Sequence, residues 1–204
     1  MAKDYIVAAE IRAALPDAEW GSTYDVLLSQ LANAASRAID RYTGRAPGAY
    51  YADVPSVRYI DGSGTPRLWI GELAAAPAQV WVAESGDGSS YVPWDDTEYI
   101  CWPYDALERG EPYLRLDIDL LNGTKGIWYA YPRAVKISGQ WGYSAYPPAD
   151  VKQACLIQAI RWFKRSQQAY RDIGGIVDLG QLQYVQALDP EVAQLLSHLR
   201  RQVI

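Results

Sequence analysis

The sequence predicts an α+β fold, an antiparallel helical bundle with a small antiparallel β module inserted into it. Two observations carry this expectation. Apolar residues recur at three and four residue spacing toward both ends of the chain, in AASRAIDRYTGR from Ala34 to Arg45 and in WGYSAYPPADVKQACLIQAIRWFKR from Trp141 to Arg165. Between these segments the period drops to two, in short aromatic runs separated by turn residues. The expected divisions are residues 1–55 for the N-terminal helices, 56–140 for the β module and 141–204 for the C-terminal helices with a docking tail. The 204 residues are ample for a sizeable core.

Asp4 to Leu15 opens the chain as a short helix, with Ile6, Val7, Ile11, Ala14 and Leu15 on a recurring face and Pro16 as its stop. A stronger helix follows. Ser22 or Thr23 caps it, the set Val26, Leu27, Leu31, Ala34, Ala35, Ala38, Ile39 and Tyr42 repeats at helical spacing, and Gly44 ends it. Its three alanines invite a close neighbour, and Arg37, Asp40 and Arg41 flank the apolar stripe, where they can pair within the helix or with an adjacent copy. From Val57 to Ile137 the alternating pairs are Val57 and Tyr59, Leu68 and Ile70, Val80 and Val82, Tyr99 and Cys101, Leu114 to Ile118, and Val135 and Ile137. Turns at Asp61 to Gly64, Ser85 to Gly88 and Asn122-Gly123 separate them, giving a sheet or sandwich of roughly six or seven strands. Pro148 then opens a helix that is apolar nearly all round, through Val151, Ala154, Cys155, Ile157, Ala159, Ile160, Trp162 and Phe163, with a basic end at Lys164, Arg165 and Arg171. Gly174-Gly175 breaks it, and a connector from Ile173 to Leu188 is expected to order only on docking. Asp189-Pro190 starts a last helix with Val192, Leu195, Leu196, Leu199 and Val203 on one face.

Composition excludes several functions. The formal charge of −5 argues against gripping nucleic acid by phosphate neutralisation. Residues 1–149 hold 12 Lys or Arg against 19 Asp or Glu, and residues 150–204 hold 7 against 5, so the C-terminal part is the more basic. Cys101 and Cys155 read as reduced, buried thiols, and the charged residues Asp4, Glu10 and Arg12 rule out a signal-peptide core or a membrane span near the N-terminus, so a soluble cytoplasmic chain is expected. Catalysis finds no constellation. Asp95 and Asp96 in WDDTEY, with Glu98, suggest a glycosidase pair or a hard-cation site, but adjacent carboxylates on a strand point to opposite faces. The single histidine, His198, cannot anchor a zinc site with two cysteines so differently placed and suggests no Ser-His-Asp neighbourhood, and Gly62-Ser63-Gly64 lacks the helix and lysine of a phosphate loop. No enzyme activity, cofactor or metal is expected.

The segments xxASRAIDRYxGR and WGYxxxPPADVKQACLxQAIRxFKR, in this order around a β segment with the turn Tyr59-Ile60-Asp61-Gly62, resemble the head-to-tail connector, or adaptor, proteins of long-tailed bacteriophages and gene transfer agents. The resemblance covers the N-terminal third and Trp141 to Arg171 well, and the β region by its strand order. It implies a structural virion protein of the neck, assembled in the host cytoplasm. It further implies a ring of roughly a dozen copies between the portal protein and a stopper or tail-completion protein, with double-stranded DNA passing through without sequence-specific binding. Carried onto this chain, the implied subunit contacts are Arg37, Asp40 and Arg41, and the implied portal contacts are Leu199, Arg200, Arg201, Val203 and Ile204. An acidic chain suits a conduit, because each neutralised phosphate would retard DNA. The rival reading is a carbohydrate-binding or host-adhesion module, since Trp69, Trp81, Trp94, Trp102, Trp128 and several tyrosines crowd the β region. Most of these rings are expected in the core or at subunit interfaces.

Overall fold

The computed structural model describes residues 3–15, 24–85, 90–171 and 188–201, without the side chains of 167–171. The chain forms two compact units, one of Met1–Gly48 with Pro147–Ile204 and the other of Ala49–Tyr146. The first is helical. It contains α1 (Ala8–Ala13), α2 (Tyr24–Thr43), α3 (Ala149–Arg171) and α4 (Pro190–Leu195), followed by a single 3-10 turn at Ser197–Leu199. α2 packs along α3, α1 against both, and α4 on α3.

The buried stripe of α2 is Leu28, Ala32, Ala35, Ser36, Ile39, Asp40 and Thr43. Val26, expected inside, is 66% exposed. The stripe is turned by about a residue because three of its members are polar and satisfied within the unit, which an apolar pattern alone does not register. Small residues let α3 come close: Cys155 Sγ lies 3.5 Å from Ser36 Oγ. Gly44, at φ +69°, ends α2 in the left-handed conformation, with the Arg45 N–H donating to the Asp40 carbonyl at 2.9 Å and the Gly44 N–H to the Arg41 carbonyl at 3.3 Å. At α4 the Asp189 side chain accepts from the Glu191 N–H at 2.8 Å, the cap that Asp189-Pro190 foretold.

The second unit is all β. Its strands are β1 (Ser56–Ile60), β2 (Arg67–Leu73), β3 (Gln79–Val82), β4 (Val92–Trp94), β5 (Tyr99–Trp102), β6 (Tyr113–Ile118) and β7 (Val135–Gly139). They form two antiparallel sheets in the orders β1-β7-β3-β4 and β2-β6-β5. Both sheets feed one core, in which Leu68 and Ile70 of β2, Val80 and Val82 of β3, Leu116 and Ile118 of β6, and Val135 and Ile137 of β7 surround Trp94 and Trp128. Those two indoles stack with centroids 4.9 Å apart, and the Trp128 Nε1–H donates to the Pro66 carbonyl at 3.1 Å. A bulge between Trp69 and Leu73 bends β2 at Gly71, whose φ is +84°.

The expected helical bundle with a small inserted β module is therefore overturned. Among the described residues the chain has only four helices, two of them six residues long, against seven strands in two antiparallel sheets, and it is mostly β. The physical reason lies in what closes the β core. Trp141, expected to open the C-terminal helical part, instead joins the β core, and its Nε1–H donates to the Ser56 carbonyl at 2.8 Å. The strands are thus a domain-sized, two-layered body with its own interior rather than an ornament on a bundle.

Candidate functional site

Three groups of side chains stand out, two in the helical unit and one in the β unit. The first surrounds Asp40. Its carboxylate is 2% exposed and accepts from the Tyr5 hydroxyl and, at 3.2 Å, from the Gly48 N–H, while Arg37 Nη1 stands 3.3 Å away. Burial pushes the Asp40 carboxyl above its ordinary value, and the Tyr5 hydrogen bond and the Arg37 charge pull partly against this. Arg37 also donates to the Lys3 carbonyl at 2.8 Å and pairs with Asp4 at 3.7 Å, and the Tyr5 N–H donates to Ser36 Oγ at 3.0 Å. Asp40 and Arg37 thus fasten the segment before α1 onto α2. Arg41, the third residue expected at a subunit contact, is exposed and has no ion pair among the described residues.

The second group is at the carboxyl end of α2. There the Arg201 N–H donates to the Thr43 carbonyl at 2.9 Å, the Arg45 guanidinium donates to the Leu199 carbonyl, and the Arg200 guanidinium sits 5.7 Å from the Tyr42 ring centroid. Arg200 and Arg201, expected on the tail, are exposed beside the end of the helix that carries Arg41. Leu199 is 5% exposed, so its side chain packs within the unit. Val203 and Ile204 lie outside the described residues, as do Ser22, Thr23, the turn at Gly86 to Gly88 and most of the 173–188 connector. Sequence order hides this meeting, because more than 150 residues separate Arg41 from Arg200.

In the β unit the outward rows of both sheets pair cations with aromatic rings. Register places Trp69 and Trp102 on either side of Arg115, whose guanidinium lies 5.5 Å and 4.7 Å from their ring centroids. Trp69 is 65% and Trp102 44% exposed. On the other sheet, Lys136 lies 4.5 Å from the Trp81 centroid and Arg133 4.3 Å from that of Tyr59. Sequence reasoning placed these rings in the core or at interfaces without sorting them. The alternation of Leu68 and Ile70 against Trp69 contained the sorting, because neighbours on a strand face opposite ways.

The acidic residues of WDDTEY do not act as a pair. Glu98 accepts from the Thr124 N–H at 2.7 Å, the Thr124 hydroxyl at 2.8 Å and the Lys125 N–H at 3.1 Å, bonds that hold its carboxyl below the usual range. Asp95 and Asp96 are exposed at the rim of a 240 Å³ hollow lined also by Gln79, Trp94 and Tyr99. His198 Nε2 is 3.5 Å from Asp150, on the surface of the helical unit. Both cysteines are free thiols, and burial pushes Cys101 up to about 11 and Cys155 up to about 12, away from nucleophilic use. Among the described residues no group of three or more His, Cys, Asp or Glu is disposed to hold a metal ion, and no helix is long and apolar enough to cross a membrane.

The charge division follows the units rather than the two ends of the chain. Residues 49–146 carry 7 Lys or Arg against 13 Asp or Glu, a net −6, and the remainder carry 12 against 11, a net +1.

No family model matches this chain, and no curated protein is similar to it. Solved structures share its fold. A chain from the neck of an empty GTA particle computed with C6 symmetry aligns over 98% of this chain and 91% of its own, with a TM-score of 0.58 and 17% identity. A chain from the virion of a native gene transfer agent (GTA) particle aligns over the same shares with a TM-score of 0.54 and 19% identity. A third, from the neck of a native GTA particle computed with C12 symmetry, covers 100% of this chain and 97% of its own at a TM-score of 0.50 and 19% identity.

Proposed function

We propose that this chain is a structural virion protein of a phage or gene transfer agent neck, forming a ring of roughly a dozen copies between the portal and a stopper or tail-completion protein. The observation that carries the reading is the end-to-end likeness of fold, both units included, to chains from GTA necks. In this reading the ring extends the portal channel, and DNA passes without sequence-specific contact, in keeping with the net charge of −5. The exposed Arg200 and Arg201, with Val203 and Ile204 beyond them, dock on the portal, and Leu199 anchors that segment from inside. Arg41 meets the neighbouring subunit, and Arg37 and Asp40 hold the surface on which it does so. The protein joins the virion neck after assembly in the host cytoplasm.

Electron microscopy of the full chain mixed with the portal encoded beside it, against a chain truncated after Pro190, tests this. Rings stacked on the portal only with the full chain support both the function and the docking segment. Stacking by both chains keeps the function and removes the segment, and no association refutes the reading.

One observation favours a second reading. Trp69 and Trp102 are exposed on one face with Arg115 between them, the arrangement that stacking on sugar rings requires. Glycan binding that disappears in Trp69→Ala and Trp102→Ala, together with failure to associate with the portal, would favour it.

A further inference from the structure

The outer face of the β1-β7-β3-β4 sheet and the turn before β7 carry two cations, Lys136 and Arg133, and the Asp61 carboxylate there accepts from the Arg133 backbone N–H at 2.7 Å. Register sets Tyr59 of β1 opposite Lys136 of β7, and Lys136 opposite Trp81 of β3. The Lys136 ammonium lies 4.5 Å from the Trp81 centroid and 5.9 Å from that of Tyr91, and the Arg133 guanidinium 4.3 Å from that of Tyr59. Tyr91 closes the group: its hydroxyl donates to the Arg133 carbonyl at 2.8 Å and its ring meets Tyr59 at 5.9 Å. Neither Arg133 nor Lys136 has an ion pair among the described residues. Rings under both side chains restrict their rotamers before any partner arrives, which lowers the entropy lost on binding a carboxylate.

The β4 edge of the same sheet has the opposite character. β4 is three residues long, contains Pro93, and runs directly into Asp95 and Asp96, both exposed and without an ion pair among the described residues. Pro93 removes a backbone donor, so this edge does not recruit a further strand, and what it offers a neighbour is the two carboxylates.

We propose that the Arg133 and Lys136 face docks the Asp95-Asp96 turn of a second copy of this chain. Charge complementarity selects that occupant. At net −6 the β unit repels its own copies over most of its surface, and an attractive contact requires the place where cations stand unpaired against a place where carboxylates do. The two surfaces differ, the cations standing on β7 and the turn before it and the carboxylates beyond the end of β4, so each copy keeps one of each to offer. Such a heterologous contact repeats from copy to copy and closes into a ring when the rotation between copies allows. The inference rests on the neck-ring reading and adds to it that the β units, and not the helices alone, join neighbours.

The test uses full-length chain, half of it labelled with 15N, assembled on the portal and treated with a zero-length carbodiimide that couples amines to carboxylates. Mass spectrometry is expected to find Lys136 joined to Asp95 or Asp96 in peptides carrying one labelled and one unlabelled partner. Arg133→Glu with Lys136→Glu, and separately Asp95→Lys with Asp96→Lys, are expected to reduce ring formation at least tenfold, and all four changes in one chain to restore it. Circular dichroism of each variant confirms that it is folded. Rings that form without the mixed-isotope peptide, or with Lys136 joined to a portal carboxylate instead, overturn the docking and leave the neck reading standing. Absence of any ring from the wild-type chain overturns the neck reading and this inference with it.

Discussion

Replacing Asp40 with alanine removes a buried acceptor from two donors and the partner of a nearby cation at once. The Tyr5 hydroxyl, the Gly48 N–H at 3.2 Å and Arg37 Nη1 at 3.3 Å all converge on it. Breaking one side of a buried charge pair costs about 3–5 kcal/mol. The lower end applies, because Arg37 keeps its bond to the Lys3 carbonyl and its pairing with Asp4, and because the substitution also removes a carboxylate that burial disfavours. The expected loss for Asp40→Ala is therefore about 3 kcal/mol. Asp40→Asn keeps an oxygen for the Tyr5 hydroxyl, but its amide nitrogen replaces the oxygen that accepts from Gly48 and faces Arg37, so it is expected to cost about 2 kcal/mol. Tyr5→Phe removes one bond to a charged acceptor, about 1.5 kcal/mol, and shares it with Asp40, so the double variant is expected to lose less than the sum of the two.

Two units make a single unfolding transition an unsafe readout, so native-state hydrogen exchange of α2 and α3 amides is the assay, with urea as the perturbant. A loss under 1 kcal/mol in those amides for Asp40→Ala, or full additivity with Tyr5→Phe, would refute the view that this cluster fastens the N-terminal segment. The pH dependence supplies a signed check. Burial raises the Asp40 carboxyl above 3.8, so the folded state binds its proton more tightly than the unfolded state does. The cost of the buried carboxylate is fully present above the folded value and is relieved as pH falls through it toward 3.8. The advantage of the wild type over Asp40→Asn is accordingly expected to widen on mild acidification.

Other substitutions probe the β unit. A Cβ at Gly62 would stand 1.7 Å from the Tyr129 carbonyl oxygen, a backbone atom that cannot step aside, so Gly62→Ala is expected to destabilise the unit by about 3 kcal/mol in urea melts followed by tryptophan fluorescence. Trp128→Ala empties a fully buried site against Trp94 and is expected to cost about 3–5 kcal/mol in the same melts. Glu98→Gln weakens the clamp on Thr124 and Lys125, and faster amide exchange at those two residues with the strands unchanged is the expected result. Because that clamp holds Glu98 below the usual carboxylate range, its contribution is present above about 4.5 and is lost as pH falls through the lowered folded value, so acid is expected to mimic the substitution.

Local signals in the sequence carried much of the secondary structure. Gly44, Asp189 and the alternating pairs from Leu68 to Ile137 act through the backbone of their immediate neighbours, and the helix end, the helix cap and the strands they announced are present. β4 escaped notice because it is three residues long and contains Pro93, which reads as a break. The phase of α2 slipped because Ser36 and Asp40 are buried by virtue of partners as distant as Tyr5 and Cys155, which no window on the helix contains.

Class and weighting of the fold were the larger miss. Periodicity detects helices and strands with equal ease but carries no information about which set closes a core, and here the strands do so in two sheets around Trp94 and Trp128. The candidate surfaces divide in the same way. That Arg200, Arg201 and Arg41 are basic, and that the β region is rich in Trp and Tyr, was determined by the sequence alone, because charge and ring content are properties of residues. That Arg200 and Arg201 lie against the end of α2, that Asp40 is sealed beneath Tyr5, and that the Lys136 and Arg133 side chains rest on rings were decided only by tertiary structure. Each depends on contacts between residues distant in sequence, and those distances come into existence only when the chain closes on itself.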